Sequence, residues 1–252
     1  MQNIKLQLLG TGTCAYNKNR MSSSVFVKLD EGNFVFDFGR GVSHRLVFDL
    51  GFDINDIHTI WLSHFHPDHF SDIIPFFHAL SYSKSGWIKN KSSENLIQII
   101  GPVGLENFWD KLLNLYPHPD LIRYELLPKV KIIELKKSVF NLFNTKFELA
   151  KLPHANNTAI KFSLGNKIIV LGGDCPFSQD EISFVSGSDL AVIDSGHKSD
   201  EEIIKTAVLT QANQIVLTHI DRNLNLQELN RRARENSYKG QIIEGKDLME
   251  LL

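Results

Sequence analysis

His64-Phe65-His66-Pro67-Asp68-His69, delivered by the apolar run Thr59-Ile60-Trp61-Leu62, is the stretch that decides the fold. Three histidines and an aspartate crowd the mouth of an expected strand. Neutral imidazole and carboxylate suit zinc, manganese or iron, and a tight turn after a strand can aim several of them at one point. The spacing divides them. His64 and His66, two apart on extended backbone, point the same way and can share one ion. Asp68 and His69, past the turn, can reach a second ion beside it. The pattern reads as half of a two-metal site, with a histidine-rich surface loop as the plain alternative.

Upstream, Lys5 to Leu9 reads as a strand ending in Gly10-Thr11-Gly12-Thr13, where glycine permits a tight turn. The runs 25–29 and 34–38 flank Asp30-Glu31-Gly32-Asn33 as a hairpin. Both runs are too apolar for a one-sided sheet, so layers are expected on both faces. Val42 to Leu50 has a helical pattern closed by Gly51, with His44 as a partly exposed helix residue. Downstream, a helix is expected from Phe70 to Ser81, with Ile73, Ile74, Phe76, Phe77 and Leu80 on its buried side. Starting just past His69, it would turn its N-terminal dipole toward the site. His78 on that helix reads as structural. The polar stretch 81–93 around Trp87 is a candidate substrate-facing flap. A strand at 96–100, a helix from Gly101-Pro102 to Leu115, and strands at 124–127, 131–135 and 146–152 follow.

The second half repeats the theme of strands that end in ligand-type residues. One strand closes at Pro153-His154. A hairpin over 159–171 ends at Gly172-Gly173-Asp174, and Leu190 to Ile193 runs into Asp194-Ser195-Gly196-His197. After a helix at 201–212, Ile215-Val216-Leu217-Thr218-His219 echoes Ile60-Trp61-Leu62-Ser63-His64. That echo suggests two similar halves presenting ligands at one sheet edge. A last helix spans 226–236. No linker is apparent, so residues 1–252 are read as one domain.

The 252 residues can bury a sizeable core. With 42% hydrophobic and 22% charged residues, the composition is that of a soluble globular protein. A net charge of -2 supplies no global positive field for nucleic acid, so no stable nucleic-acid complex is expected. Two cysteines, Cys14 and Cys175, argue against a disulfide framework. With no signal pattern and no long apolar run, the expectation is a cytoplasmic protein away from membranes.

His64-x-His66-x-Asp68-His69, then His154, Asp174 and His219, resembles the full ligand series of metallo-β-lactamase-fold hydrolases, and the likeness spans nearly the whole chain. It implies an α/β, four-layer αββα sandwich: two mixed β-sheets flanked by helices. It also implies two divalent metal ions, zinc first, with manganese or iron as alternatives. His64, His66 and His154 would hold one ion, Asp68, His69 and His219 the other, with Asp174 bridging. Within the superfamily the chain looks most like the ribonuclease Z branch and its related phosphodiesterases. Leu8-Leu9-Gly10-Thr11-Gly12-Thr13, Phe36-Asp37-Phe38-Gly39-Arg40-Gly41 and His197-Lys198-Ser199 ahead of Thr218-His219 carry that likeness. It makes His197 the proton-donating catalytic residue, Asp194 the acid that orients it, and Asp68 both ligand and orienter of the nucleophile. A homodimer is implied by the resemblance alone.

Three departures bear on substrate. Pro67 stands where ribonuclease Z usually has glycine, and Cys175 follows Asp174 where threonine is common. Only residues 155–173 separate His154 from Asp174, leaving no room for the long arm that grips transfer RNA. The expected activity is therefore a dinuclear metal-dependent phosphodiesterase using a metal-bridging hydroxide. Its substrate would be a small or cyclic phosphodiester, or an RNA 3′ end. The alternatives are another ester class on the same scaffold (aryl sulfate, lactone or thioester) and a non-catalytic binding protein.

Overall fold

Alternation within strands sorts side chains between an inner and an outer layer. In the computed structural model, which describes residues 4–84, 96–115 and 129–252, Phe34 and Phe36 turn toward a second sheet while Val35 between them packs outward. They lie on β3 (Gly32–Phe36) of a six-stranded sheet. Its order is β1 (Lys5–Gly10), β2 (Ser24–Leu29), β3, β4 (Thr59–Trp61), β5 (Leu96–Pro102) and β6 (Lys129–Leu135). The first three strands run antiparallel, and β3 to β6 run parallel. A seven-stranded sheet repeats the plan. An antiparallel meander of β7 (Val139–Leu142), β8 (Thr145–Lys151), β9 (Thr158–Leu164) and β10 (Lys167–Leu171) leads into parallel β11 (Leu190–Asp194), β12 (Gln214–Thr218) and β13 (Gln241–Glu244).

The sheets meet through a core that joins Phe34 and Trp61 to Phe147 and Phe162, with Phe147 5.1 Å from Trp61 and 5.0 Å from Phe162. Each such ring fully buried stabilises the fold by roughly 1.5–3 kcal/mol. The outer face of the first sheet is covered by α3 (Ile73–Lys84) through Ile73, Phe76, Phe77 and Leu80, and by α4 (Leu105–Asn114) through Leu105, Trp109 and Leu112. The second sheet is covered by α5 (Gln179–Val185), α6 (Asp200–Thr210) and α7 (Leu226–Glu235). The result is the αββα layering of the metallo-β-lactamase fold.

Several local expectations are corrected. The helix expected from Phe70 is two helices. Pro67 supplies the fixed φ of a first helical position and opens the four-residue α2 (Pro67–Phe70), which contains Asp68 and His69. The helix then breaks because the Asp72 amide donates to Phe38 O at 3.1 Å, while the Asp72 carboxylate accepts from the Ser43 amide and hydroxyl. The long helix and its dipole therefore begin at Ile73, not beside His69. The helix expected over Val42 to Leu50 is one short turn, α1 (Val42–His44), followed by a π-helical turn Arg45–Asp49 that stands Phe48 in solvent against the exposed His44 ring. Gly101-Pro102 extend β5 instead of opening a helix, and α4 begins after Gly104. Strands β7 and β13 and helix α5 were not anticipated. The flap residues 85–93 and the strand at 124–127 lie outside the described residues.

Both sheets are finished at an outer edge. β1 takes hydrogen bonds from the chain's last residues: Leu8 N donates to Met249 O (2.9 Å) and Leu251 N to Leu6 O (2.8 Å). At β13 the Asn230 side chain on α7 accepts from Ile242 N (3.0 Å) and donates to Ile242 O (2.8 Å). Among the described residues, no helix is long and apolar enough to cross a membrane.

Candidate metal centre

Strands of both sheets end at one shared rim. β4 delivers Ser63 to His69, β8 is followed by His154, β10 by Asp174, β11 ends in Asp194, and β12 is followed by His219. Close backbone approach shapes this rim. A Cβ on Gly39 would lie 1.7 Å from Asp68 O, so only glycine fits there. Gly173, at φ +64°, would place a Cβ 2.5 Å from Asn157 Oδ1 and 2.8 Å from Ser63 Cβ. Asp37 (φ 63°) and His219 (φ 52°) are non-glycine residues in the left-handed region, a strained conformation that the surrounding contacts must hold. The His219 amide is held by Ser23 Oγ at 2.8 Å. The two halves are stitched by Thr158 N donating to Ser63 O (2.9 Å), and Asn157 Nδ2 donates to Gly172 O and Asp174 O.

All seven expected ligands converge. His64, His66, His154 and Asp174 offer donor atoms within 4.8 Å of one another, as do Asp68, His69 and His219. Asp174 Oδ2 sits between the groups: 3.3 Å from His69 Nε2, 3.2 Å from His219 Nε2, and 3.9 Å from His64 Nε2 and His154 Nε2. The donor set fits divalent cations on one further observation. His64 Nε2 and His69 Nε2 are buried without a hydrogen-bond partner, while the other nitrogen of each ring is bonded. An unmet buried polar atom is costly, and one in each group fits a cation that accepts its lone pair there.

One buried carboxylate orients ligands of both groups. Asp37 accepts from Ser63 N (2.7 Å), Ser63 Oγ (2.9 Å) and His69 Nδ1 (2.8 Å). Because the Ser63 hydroxyl donates to Asp37, it accepts from His64 Nδ1 at 2.9 Å, which leaves His64 Nε2 with its lone pair inward. An Asp37→Asn variant should therefore bind zinc about 10–100-fold more weakly, measured by chelator competition; unchanged affinity would refute the orienting role. Asp37 is quoted within a motif in the sequence reading but is given no role there. Its signal is a single carboxylate inside the apolar run 34–38.

Electrostatics separate the histidines. Burial and the neighbouring His69 push His64 down to about 2, so it is a neutral imidazole. Burial opposes charge on His69, but Asp37 and Asp174 outweigh it and raise its pKa well above the usual value. His219 behaves alike: burial lowers it, while Asp194 and Asp68 bring it up to about 10. Burial raises the Asp174 carboxyl, and His69 and His219 more than reverse that. A cation held there would have to displace the protons that His69 and His219 favour, so its affinity would fall with falling pH.

His197 and Asp194 stand beside this cluster. His197 Nδ1 lies 2.8 Å from Asp194 Oδ2, and the ring stacks on His219 at 5.2 Å. Asp194 Oδ1 accepts the amides of Gly196 (2.7 Å) and His197 (3.2 Å), and Oδ2 accepts the Cys175 amide (2.9 Å). The Asp194 hydrogen bond raises the His197 pKa above the ordinary imidazole value. The Cys175 thiol is buried against Leu152 and Ala159. The stretch between His154 and Asp174 is filled by the β9–β10 hairpin.

Residues 4–195 match the family described as Anti-Pycsar protein Apyc1. The chain is 29% identical over 155 residues to ribonuclease Z of Borreliella burgdorferi, a match covering 60% of this chain and 45% of that protein. The chain thus spans about half the length of the curated relatives it matches. In fold it superposes on the metallo-β-lactamase fold protein YhfI from Bacillus subtilis (TM-score 0.78, 18% identity, 98% of each chain). Human short-form tRNase Z gives a TM-score of 0.71 at 18% identity, covering 98% of each chain.

Proposed function

We propose a reaction from the premise that the chain belongs to the Anti-Pycsar protein Apyc1 family: it is a dinuclear metal-dependent phosphodiesterase acting on small or cyclic phosphodiesters. The observation that carries this is the position of Asp174 Oδ2, in reach of ligands from both triads. His64, His66 and His154 would hold one divalent ion and Asp68, His69 and His219 the other, with Asp174 shared; zinc is the first choice and manganese or iron the alternatives. Such an ion pair, when bound, lowers the pKa of water and offsets charge developing on phosphoryl oxygens.

The chain's own groups divide the remaining work. Asp68 Oδ2 is 3.2 Å from His219 Nε2, and its carboxylate can also orient the attacking water. His197, whose protonated form the Asp194 hydrogen bond favours, donates a proton to the leaving alkoxide, so that diester and water become monoester and alcohol. The compact β9–β10 hairpin favours a small substrate over transfer RNA. An RNA 3′ end is the second reading, motivated by the relatives named ribonuclease Z. A cytoplasmic homodimer belongs to the same proposal.

The test is hydrolysis of bis(p-nitrophenyl) phosphate by metal-stripped protein, before and after zinc or manganese is returned. Turnover should be absent without metal and restored with it. If metal binds but the diester survives, the phosphodiesterase reading fails and sulfate, lactone and thioester substrates take its place.

A further inference from the structure

Directly after His197 the chain buries a lysine. The Lys198 side chain is wholly enclosed, and its ammonium donates to three acceptors: Glu181 Oε1 (3.2 Å), Asp194 O (3.1 Å) and Cys175 O. An ammonium has three N–H groups, so its donor capacity is fully used. A buried ion pair of this kind adds little net stability, because desolvation offsets the attraction. Its effect here is geometric. The three acceptors lie on three segments: α5, the end of β11, and the residue that follows Asp174. From outside the same turn, Arg222 donates to Ser195 O (2.7 Å) and Lys198 O (2.8 Å).

Those segments carry the two carboxylates that meet His197. Asp194 holds His197 Nδ1, and Asp174 Oδ2 lies 3.9 Å from the same atom. The link closes through the Cys175 amide, which donates to Asp194 Oδ2. One ammonium thus ties together the strand ends that fix where the imidazole stands relative to the metal-ligand cluster.

We propose that Lys198, with Glu181 as its counter-ion, is a positioning residue for His197: it locks the Asp194–His197 pair against the Asp174–Cys175 strand end. This rests on the reading of His197 as the proton donor. A mispositioned donor harms reactions with poor leaving groups most, since p-nitrophenolate departs without a proton whereas a sugar alkoxide needs one.

The experiment uses the zinc-loaded full chain with Lys198→Met and, because a lone buried Glu181 could unfold it, the double variant Lys198→Met/Glu181→Leu. Two readouts are taken. The first is the hydrogen-bonded Nδ1–H proton resonance of His197, identified as the one missing from His197→Ala. The second is the ratio of kcat on a 3′,5′-cyclic nucleotide to kcat on bis(p-nitrophenyl) phosphate. Expected are a resonance lost to exchange and a ratio lowered at least ~10-fold, with zinc content kept. A folded double variant that retains the resonance overturns the proposal whatever its turnover, as does a wild-type spectrum without it. Wild-type protein that hydrolyses neither diester would instead sink the phosphodiesterase reading, and the resonance alone would then decide the tether.

Discussion

An Asp174→Asn variant is expected to lose diester turnover by about 10³-fold or more, the effect of removing several kcal/mol of charge stabilisation. The substitution keeps shape and removes charge, which matters because Asp174 is 2% exposed and an alanine there would leave a void. Its Oδ2 lies 3.2–3.9 Å from histidine nitrogens of both groups, so a neutral amide there would hold the two proposed cations together less well. The amide nitrogen, if turned inward, would present hydrogens where lone pairs are needed. Bound zinc should fall below two ions per chain, read by elemental mass spectrometry alongside turnover. Full metal content with wild-type rate would refute the bridging assignment.

The second large effect is His197→Ala. Losing the proposed proton donor should lower kcat on a 3′,5′-cyclic nucleotide by about 10²–10⁴-fold, with a much smaller loss on bis(p-nitrophenyl) phosphate, while zinc content stays near wild type because His197 lies outside the seven proposed ligands. The pH profile gives an independent sign. The hydrogen bond to Asp194 raises the His197 pKa, so the acid form persists above the ordinary imidazole value of about 6.5. Wild-type kcat should therefore hold as pH rises through that value and decline only beyond the raised pKa. The variant should lack that alkaline limb. Equal loss of metal and rate would make His197 structural instead.

The ligand cluster was legible because four donors fall between His64 and His69, and spacing alone separates their directions. His154, Asp174 and His219 are scattered; strand ends and the echo of Ile60–His64 in Ile215–His219 pointed to one sheet edge, and the resemblance alone sorted them into two ligand sets. The strands of the sheet interiors could be read from apolar runs such as Ile215 to Leu217. β7 and β13 are short and lie at sheet edges, so their patterns are weak. The α2–α3 break depends on Phe38 and Ser43 capturing the Asp72 backbone and carboxylate, contacts between segments that no local periodicity carries. The roles of Asp37 and Lys198 were missed for a related reason. Each acts through partners distant in sequence, and a lone charge in an apolar run or beside a histidine does not announce them.

The Asn230 clasp on β13 has a consequence for behaviour in crowded solution. A parallel edge strand normally offers a row of free amides and carbonyls, a template on which a foreign strand can polymerise. Here the outward N–H and C=O of Ile242 are both taken by one side-chain amide. A would-be fibril seed must first dislodge that amide and the helix carrying it. The opposite sheet is shielded by the chain's own last residues on β1. One edge of each sheet is thus guarded against aggregation, β13 by a single asparagine and β1 by residues 249–252.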